Sequence, residues 1–167
     1  MIIPTFREAE NIVEVLHRVR RAAPTVDVLV VDDKSTDATA ALAEATARKL
    51  GGIEVLRRGE RGGLGAAYRA GFARGLERGY DVLVEMDADL SHDPAMLPVL
   101  VREAERGADL AIGSRYMPGG STPGWPRRRR LLSRVGNAYA AFMLGLDASD
   151  VTSGYRAYRA AALAAAD

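Results

Sequence analysis

Apolar positions along this chain follow two periods. Short, mostly aliphatic runs at Val26–Val31, Ile53–Leu56, Val82–Val84 and Ala108–Ile112 have the pattern of buried strands, and Met1–Ile3 reads as a further strand stub ended by Pro4. Between these runs the spacing becomes helical. Asn11 caps a helix carrying Ile12, Val15, Leu16 and Val19 and stopping before Pro24. Thr36 or Asp37 caps a second that runs through Leu50 and is stopped by Gly51-Gly52. A third is predicted from Ala66 to Arg78. A fourth has Asp93 as N-cap and Pro94 at its first position and runs to Arg106. A fifth spans Leu131 to Gly145, and an alanine-rich helix closes the chain at Asp167 after a short strand and turn within Asp150–Tyr158. Strands alternating with helices predict an α/β fold, a Rossmann-like, mostly parallel sheet flanked by helices, with residues 1–167 as a single domain and right-handed crossovers. The one long irregular stretch runs from Tyr116 to Arg130.

The central strand, Val82–Glu85, runs into Met86-Asp87-Ala88-Asp89-Leu90. Alternate residues of an extended chain point the same way, so Asp87 and Asp89 project from one side, just past the carboxyl end of a strand, where open α/β sheets bind their ligands. Two carboxylates ~5 Å apart repel by on the order of 1–3 kcal/mol at intermediate dielectric, and a hard cation such as Mg²⁺ or Mn²⁺ relieves that repulsion. Taken alone, the pair reads more readily as a solvated turn with an aspartate helix cap.

Composition narrows the classes. The 167 residues are 48% hydrophobic, enough for one sizeable core, and the net charge of +1 gives no global field favouring nucleic acid. Cysteine is absent, which excludes disulfides and thiolate metal sites and is compatible with a cytoplasmic setting. The first residues have no apolar core of signal-peptide length, and the longest apolar windows, Ala138–Leu144 and Ala160–Ala166, are far shorter than the ~20 residues of a membrane span, so membrane contact is expected to be peripheral. The glycine-rich stretch Arg58–Gly65 is no dinucleotide fingerprint, since Tyr68 stands where that motif needs glycine.

Other predicted strand ends carry polar residues of matching kind: Pro4 to Glu8, Asp32-Asp33, and Gly113-Ser114-Arg115-Tyr116. If these ends are neighbours, acids and an arginine able to fork onto phosphate converge on one cleft, a diphosphate-handling set rather than a proton-transfer dyad. Each also has a plainer reading. Asp32-Asp33 fits a helix-entry turn, Phe6 a packing residue, Arg127–Arg130 a solvated charge run, His92 a structural role, and Tyr116, Trp125 and Tyr155 core aromatics. A phosphorylated receiver module needs a lysine at a late strand end, and the only lysines are Lys34 and Lys49.

In order along the chain, Ile3–Asn11 (IPTFREAEN), Val30–Ser35 (VVDDKS), Gly63-Leu64-Gly65, Glu85–His92 (EMDADLSH) and Gly113–Tyr116 (GSRY) resemble the signature of the family-two inverting glycosyltransferases of GT-A fold. Trp125–Arg129, Leu132-Ser133-Arg134 and Thr152–Arg156 are similar to the polyprenol-phosphate (dolichol-phosphate) mannosyltransferases within it. The resemblance implies that Pro4, Phe6 and Glu8 hold the nucleotide base and ribose and that Val31 and Asp33 make a second nucleotide contact. It places Asp87, Ala88 and Asp89 on the sugar diphosphate and a Mg²⁺ or Mn²⁺ ion, with Asp89 the direct ligand and Ser91 an outer one. Arg115 and Arg129 are implied to face the donor diphosphate and the acceptor phosphate. Phe6 stands where the family has tyrosine, and Arg7 where it has asparagine. The resemblance further implies a family C-terminal tail beyond residue 167, a GDP-mannose donor, a polyprenyl-phosphate acceptor met at the cytosolic face of the membrane, no nucleic acid, and a membrane-anchoring partner protein or domain. The alternatives are another sugar, such as glucose from UDP-glucose, and a nucleotide-sugar-binding remnant without turnover.

Overall fold

The computed structural model describes residues 1–117, 126–146 and 150–165. The glycine- and proline-rich segment 118–125, Trp125 included, and the final two residues of the predicted terminal helix lie outside the described residues. Among those described, β1 (Ile2–Thr5), β2 (Val28–Asp32), β3 (Ile53–Arg57), β4 (Val82–Glu85), β5 (Leu110–Ile112) and β6 (Arg156–Arg159) form one sheet in the order β3-β2-β1-β4-β6-β5. β1 pairs in parallel with β2 and β4, and β2 with β3, as the alternation of elements predicts. β6 departs from that pattern: it is antiparallel to both β4 and β5 and separates them. The insertion lets Glu85 accept a hydrogen bond from Tyr158 Oη at 3.1 Å, a pairing across 73 positions that no local pattern announces.

Strand alternation divides the core. Ile3, Val30 and Val84 face α1 (Ile12–Ala22), α2 (Thr39–Leu50) and α4 (Leu97–Glu105), packing with Leu16, Ala43 and Leu97. Ile2, Val31 and Leu83 face the other way, onto Ala67 and Tyr68 of α3 (Leu64–Glu77), with Leu163 of α6 (Ala160–Ala164) at the margin. Helix α3 starts two residues earlier than its predicted boundary, and glycines let it lie low on the sheet. A Cβ at Gly71 would stand 2.5 Å from Ile2 Cγ2, closer than any real contact.

Three end signals resolve differently from their sequence readings. Asn11 makes no side-chain cap; its amide donates to Glu8 Oε2 at 2.8 Å, while the Glu8 carbonyl receives the N–H groups of Asn11 and Ile12. Asp93 does cap, accepting from the Ala95 N–H at 3.0 Å, but what it opens is a 3₁₀ turn, Pro94–Met96, before α4. α5 (Arg127–Leu144) takes the four arginines into its first turn instead of following them, since arginine is a good helix former and Pro126 occupies the N-cap.

The connection after β1 leads to β2 on one side, and the chain after β4 leads to β5 on the other, so the gap between β1 and β4 is the topological switch point. Pairing between them is confined to Ile2 with Glu85. Pro4, which has no N–H for a ladder, sits inside β1 just past that point, where it is tolerated because the neighbouring strand has parted.

Candidate functional site

The carboxyl ends of β1, β2 and β4 open on one cleft of about 270 Å³. Each of the three strand ends carries a non-glycine residue in the left-handed region: Arg7 at φ 60°, Lys34 at φ 62° and Leu90 at φ 61°. Such conformations cost of order 1 kcal/mol or more each and concentrate where a backbone is held for a purpose. All three turn the chain sharply, leaving Phe6, Asp33 and Asp89 at the rim of one opening.

On one side of the cleft lie Pro4, Phe6, Glu8 and Asp33, as the motifs imply. Phe6 is half-buried, and Arg61 lies over its ring, 3.9 Å from the centroid, with Arg7 at 5.4 Å. Asp33 is buried and accepts from the N–H groups of Gly62 and Gly63 at 3.0 and 2.7 Å and from the Arg58 guanidinium. Burial pushes its carboxyl up, but those two N–H groups and Arg58 outweigh it and hold the group below the usual carboxylate range. Asp33 thus fastens the Arg58–Gly63 loop and the start of α3 to β2. Val31 does not line the cleft: its side chain is fully buried on the α3 face of the sheet, packed with Ala67 and Tyr68.

Opposite lie Asp87, Ala88 and Asp89. Asp87 is half-buried; Tyr68 Oη donates to its Oδ1 at 2.8 Å and His92 Nε2 stands 3.7 Å from Oδ2. Burial raises its carboxyl, and the interactions with His92 and Tyr68 more than reverse that, so it is held below the ordinary range. Asp89 is exposed, with Oδ1 accepting the Ser91 N–H at 3.0 Å. The structure therefore gives Ser91 a turn-forming role through its backbone. Two carboxylates on consecutive alternate positions, one projecting into open cleft, suit a hard divalent ion. Among the described residues no group of three or more His, Asp or Glu could enclose an ion by itself, so diphosphate and water oxygens would complete its coordination.

Arg115 and Arg129 do not line this cleft. Arg115 forks onto Asp150, Nε to Oδ2 and Nη2 to Oδ1 both at 2.7 Å, and also donates to Thr152 Oγ1 at 2.7 Å. Here Arg115 latches the end of β5 to the segment before β6, with a buried carboxylate facing its fork. Arg129 stands exposed in the first turn of α5. Tyr155 proves to be a core aromatic, packed at 5.3 Å against His92, while Tyr116 ties its hydroxyl to Ser133 of α5 at 2.5 Å. Sequence reasoning passed over Arg61, Tyr68 and Asp150. Tyr68 offered one signal, its place one turn into the helix after Gly63-Leu64-Gly65; Asp150 offered none.

The two lowered, buried acids have a consequence for pH. Asp33 and Asp150 have folded-state values below their unfolded value of about 3.9, so the unfolded chain binds protons first as pH falls. Their contribution is complete above the unfolded value and disappears as pH drops through the folded one. Urea midpoints are expected to stay level from about pH 7 to 5 and fall steeply below about pH 4. A level midpoint down to pH 3 would contradict this. Glu85, which burial pushes up despite Arg156 and Tyr158, acts in the opposite sense and softens the acid limb slightly.

A family model described as glycosyl transferase family 2 matches residues 1–165. The chain is 54% identical over 166 residues to the undecaprenyl-phosphate mannosyltransferase of Micrococcus luteus, covering 99% of this chain and 68% of that protein. It is 53% identical over 160 residues to the polyprenol monophosphomannose synthase of Mycolicibacterium smegmatis, covering 95% of this chain and 60% of that one. It thus spans about two thirds of the length of these relatives. A solved mannosyltransferase from Pyrobaculum calidifontis in complex with GDP-Man and Mn²⁺ superposes with TM-score 0.65 at 21% identity, over 95% of this chain and 43% of that one, a likeness of fold.

Proposed function

The chain belongs to glycosyl transferase family 2 and has its GT-A fold, and from that premise we propose that it transfers mannose from GDP-mannose to a polyprenyl monophosphate with inversion at the sugar's anomeric carbon. The observation that carries this is the convergence of Phe6, Asp33 and the Asp87–Asp89 pair on one cleft at the sheet's switch point, in a chain more than half identical to two named polyprenol-phosphate mannosyltransferases. Phe6 offers a stacking face to a nucleobase and Glu8 an acceptor to its ribose. Asp33 keeps the glycine loop folded beside them. Asp89, with Asp87 behind it, would hold a Mg²⁺ or Mn²⁺ ion whose chemistry is to neutralise the diphosphate as it departs. A lipid phosphomonoester has its second ionisation near pH 6 and is largely dianionic at neutral pH, so no strong general base is required of this chain.

The acceptor side rests on α5. Its exposed face carries Leu131, Leu132, Val135, Tyr139 and Phe142, the last 83% exposed, next to the exposed Arg127–Arg130 turn. Four cations at a helix N-terminus oppose the helix dipole, and an anion there relieves both. This arrangement supports a lipid phosphate approaching over Arg129 with the helix lying against the cytosolic membrane surface, assisted by an anchoring partner or domain. No helix among the described residues is long and apolar enough to cross a membrane.

Calorimetry with GDP-mannose and UDP-glucose, each in Mn²⁺ and in chelator, tests the donor. GDP-mannose is expected to bind at least about tenfold more tightly than UDP-glucose, roughly 1.4 kcal/mol, and only with metal. Equal, weak binding of both, indifferent to chelator, would overturn the reading.

A further inference from the structure

We propose that Tyr68 is a positioning residue of the metal site: with His92 it holds the Asp87 carboxylate in one orientation and so sets how tightly the acidic pair binds a divalent ion. The proposal rests on the transferase reading of the cleft and adds to it a residue from a different element, α3, that is not among those lining the cleft.

The geometry leaves Asp87 little freedom. Tyr68 Oη donates to Oδ1 at 2.8 Å, and His92 Nε2 lies 3.7 Å from Oδ2. Gly154 closes the remaining side so tightly that a Cβ there would stand 2.8 Å from Oδ2. The phenol is itself confined. Tyr68 is 8% exposed and its ring stacks on Phe72 at 6.0 Å and 20°, and Phe72 meets Tyr158 edge-on at 5.4 Å.

The helix that carries Tyr68 is anchored at both ends of its opening turns. Asp33 accepts the Gly62 and Gly63 N–H groups immediately ahead of Leu64, and Gly71 lets the helix rest on Ile2. The acid on the nucleotide side and the acid on the metal side are thereby tied to the same stretch of α3. Outer partners that orient a ligating side chain typically change metal affinity 10- to 100-fold when removed. In the absence of Tyr68 Oη, Asp87 Oδ1 would lose its 2.8 Å donor, and the carboxylate pair would have to be ordered at the expense of ion binding.

The test is a Mn²⁺ titration at saturating GDP, followed by the electron paramagnetic resonance signal of free Mn²⁺. Tyr68→Phe keeps the stacked ring and removes only the hydroxyl. The Mn²⁺ concentration for half-saturation is expected to rise about tenfold, while the melting temperature stays as in the unaltered protein. An unchanged half-saturation point overturns the proposal. Should Tyr68→Phe fail to fold, His92→Phe decides by the same measurement: it keeps the packing against Tyr155 and deletes Nε2, so a raised half-saturation point supports the proposal and an unchanged one overturns it. Unaltered protein that holds Mn²⁺ no better with GDP than without it overturns the transferase reading itself, an outcome distinct from a variant that matches unaltered protein.

Discussion

An Asp89→Asn protein is expected to bind GDP-mannose no better in Mn²⁺ than in chelator, and to lose at least about a hundredfold in transfer, equivalent to roughly 3 kcal/mol of transition-state stabilisation. The amide retains an oxygen to accept the Ser91 N–H, so the turn after β4, with Leu90 in its left-handed conformation, survives the change. What is lost is the charge of the acid that stands exposed in the cleft. Asparagine at position 87 makes an informative contrast, because Asp87 is shared with Tyr68 and His92 and its loss disturbs packing and metal binding together. Calorimetry with and without chelator and a transfer assay to polyprenyl phosphate measure the two effects. Metal-dependent donor binding that persists in Asp89→Asn would remove this residue from the ion.

The second large effect is on stability and lies away from the cleft. Asp150 is 1% exposed, and its carboxylate accepts both arms of Arg115 and the Arg115 backbone N–H at 3.0 Å. Thr152 nearby receives Arg115 and donates its N–H to Oδ1 of Asn137, a buried residue of α5, at 3.1 Å. Asp150→Ala deletes the buried anion that both arms of the Arg115 guanidinium face, a loss that typically costs about 3–5 kcal/mol. For a chain of this length that lowers the melting temperature by roughly 10 °C or more. A scanning calorimetry midpoint within about 2 °C of the unaltered protein would show that the latch carries little of the fold. Among the described residues α5 is tied to its neighbours through this polar network, and its Leu131, Leu132 and Phe142 stand exposed.

Much of the architecture was legible beforehand for a simple reason. Strands buried on both faces are continuous apolar runs, and helices in an α/β layer show a 3.6 period, so β2, β4, α1 and α2 announced themselves locally. Boundaries were less legible where two signals compete. Arginine both forms helices and reads as loop charge, which placed the start of α5 four residues late. A short strand with a turn was legible within Asp150–Tyr158, but not its direction or its place between β4 and β5, because both depend on partners more than 40 residues away.

The same division runs through the site. Sequence alone determined that two acids follow a central strand at alternate positions, that another pair follows β2, and that aromatic and acidic residues follow β1; local periodicity and spacing suffice for that, and the family resemblance follows from their order. Only the tertiary structure decided which of these meet. It turned Val31 into the core, gave Arg115 to Asp150 and set Arg61 over Phe6. It also brought Tyr68 to Asp87 across 19 positions. The reason is physical: a side chain's orientation is set by its own strand or helix, whereas its hydrogen-bond partner is set by how whole elements pack, and that information is distributed over the entire core.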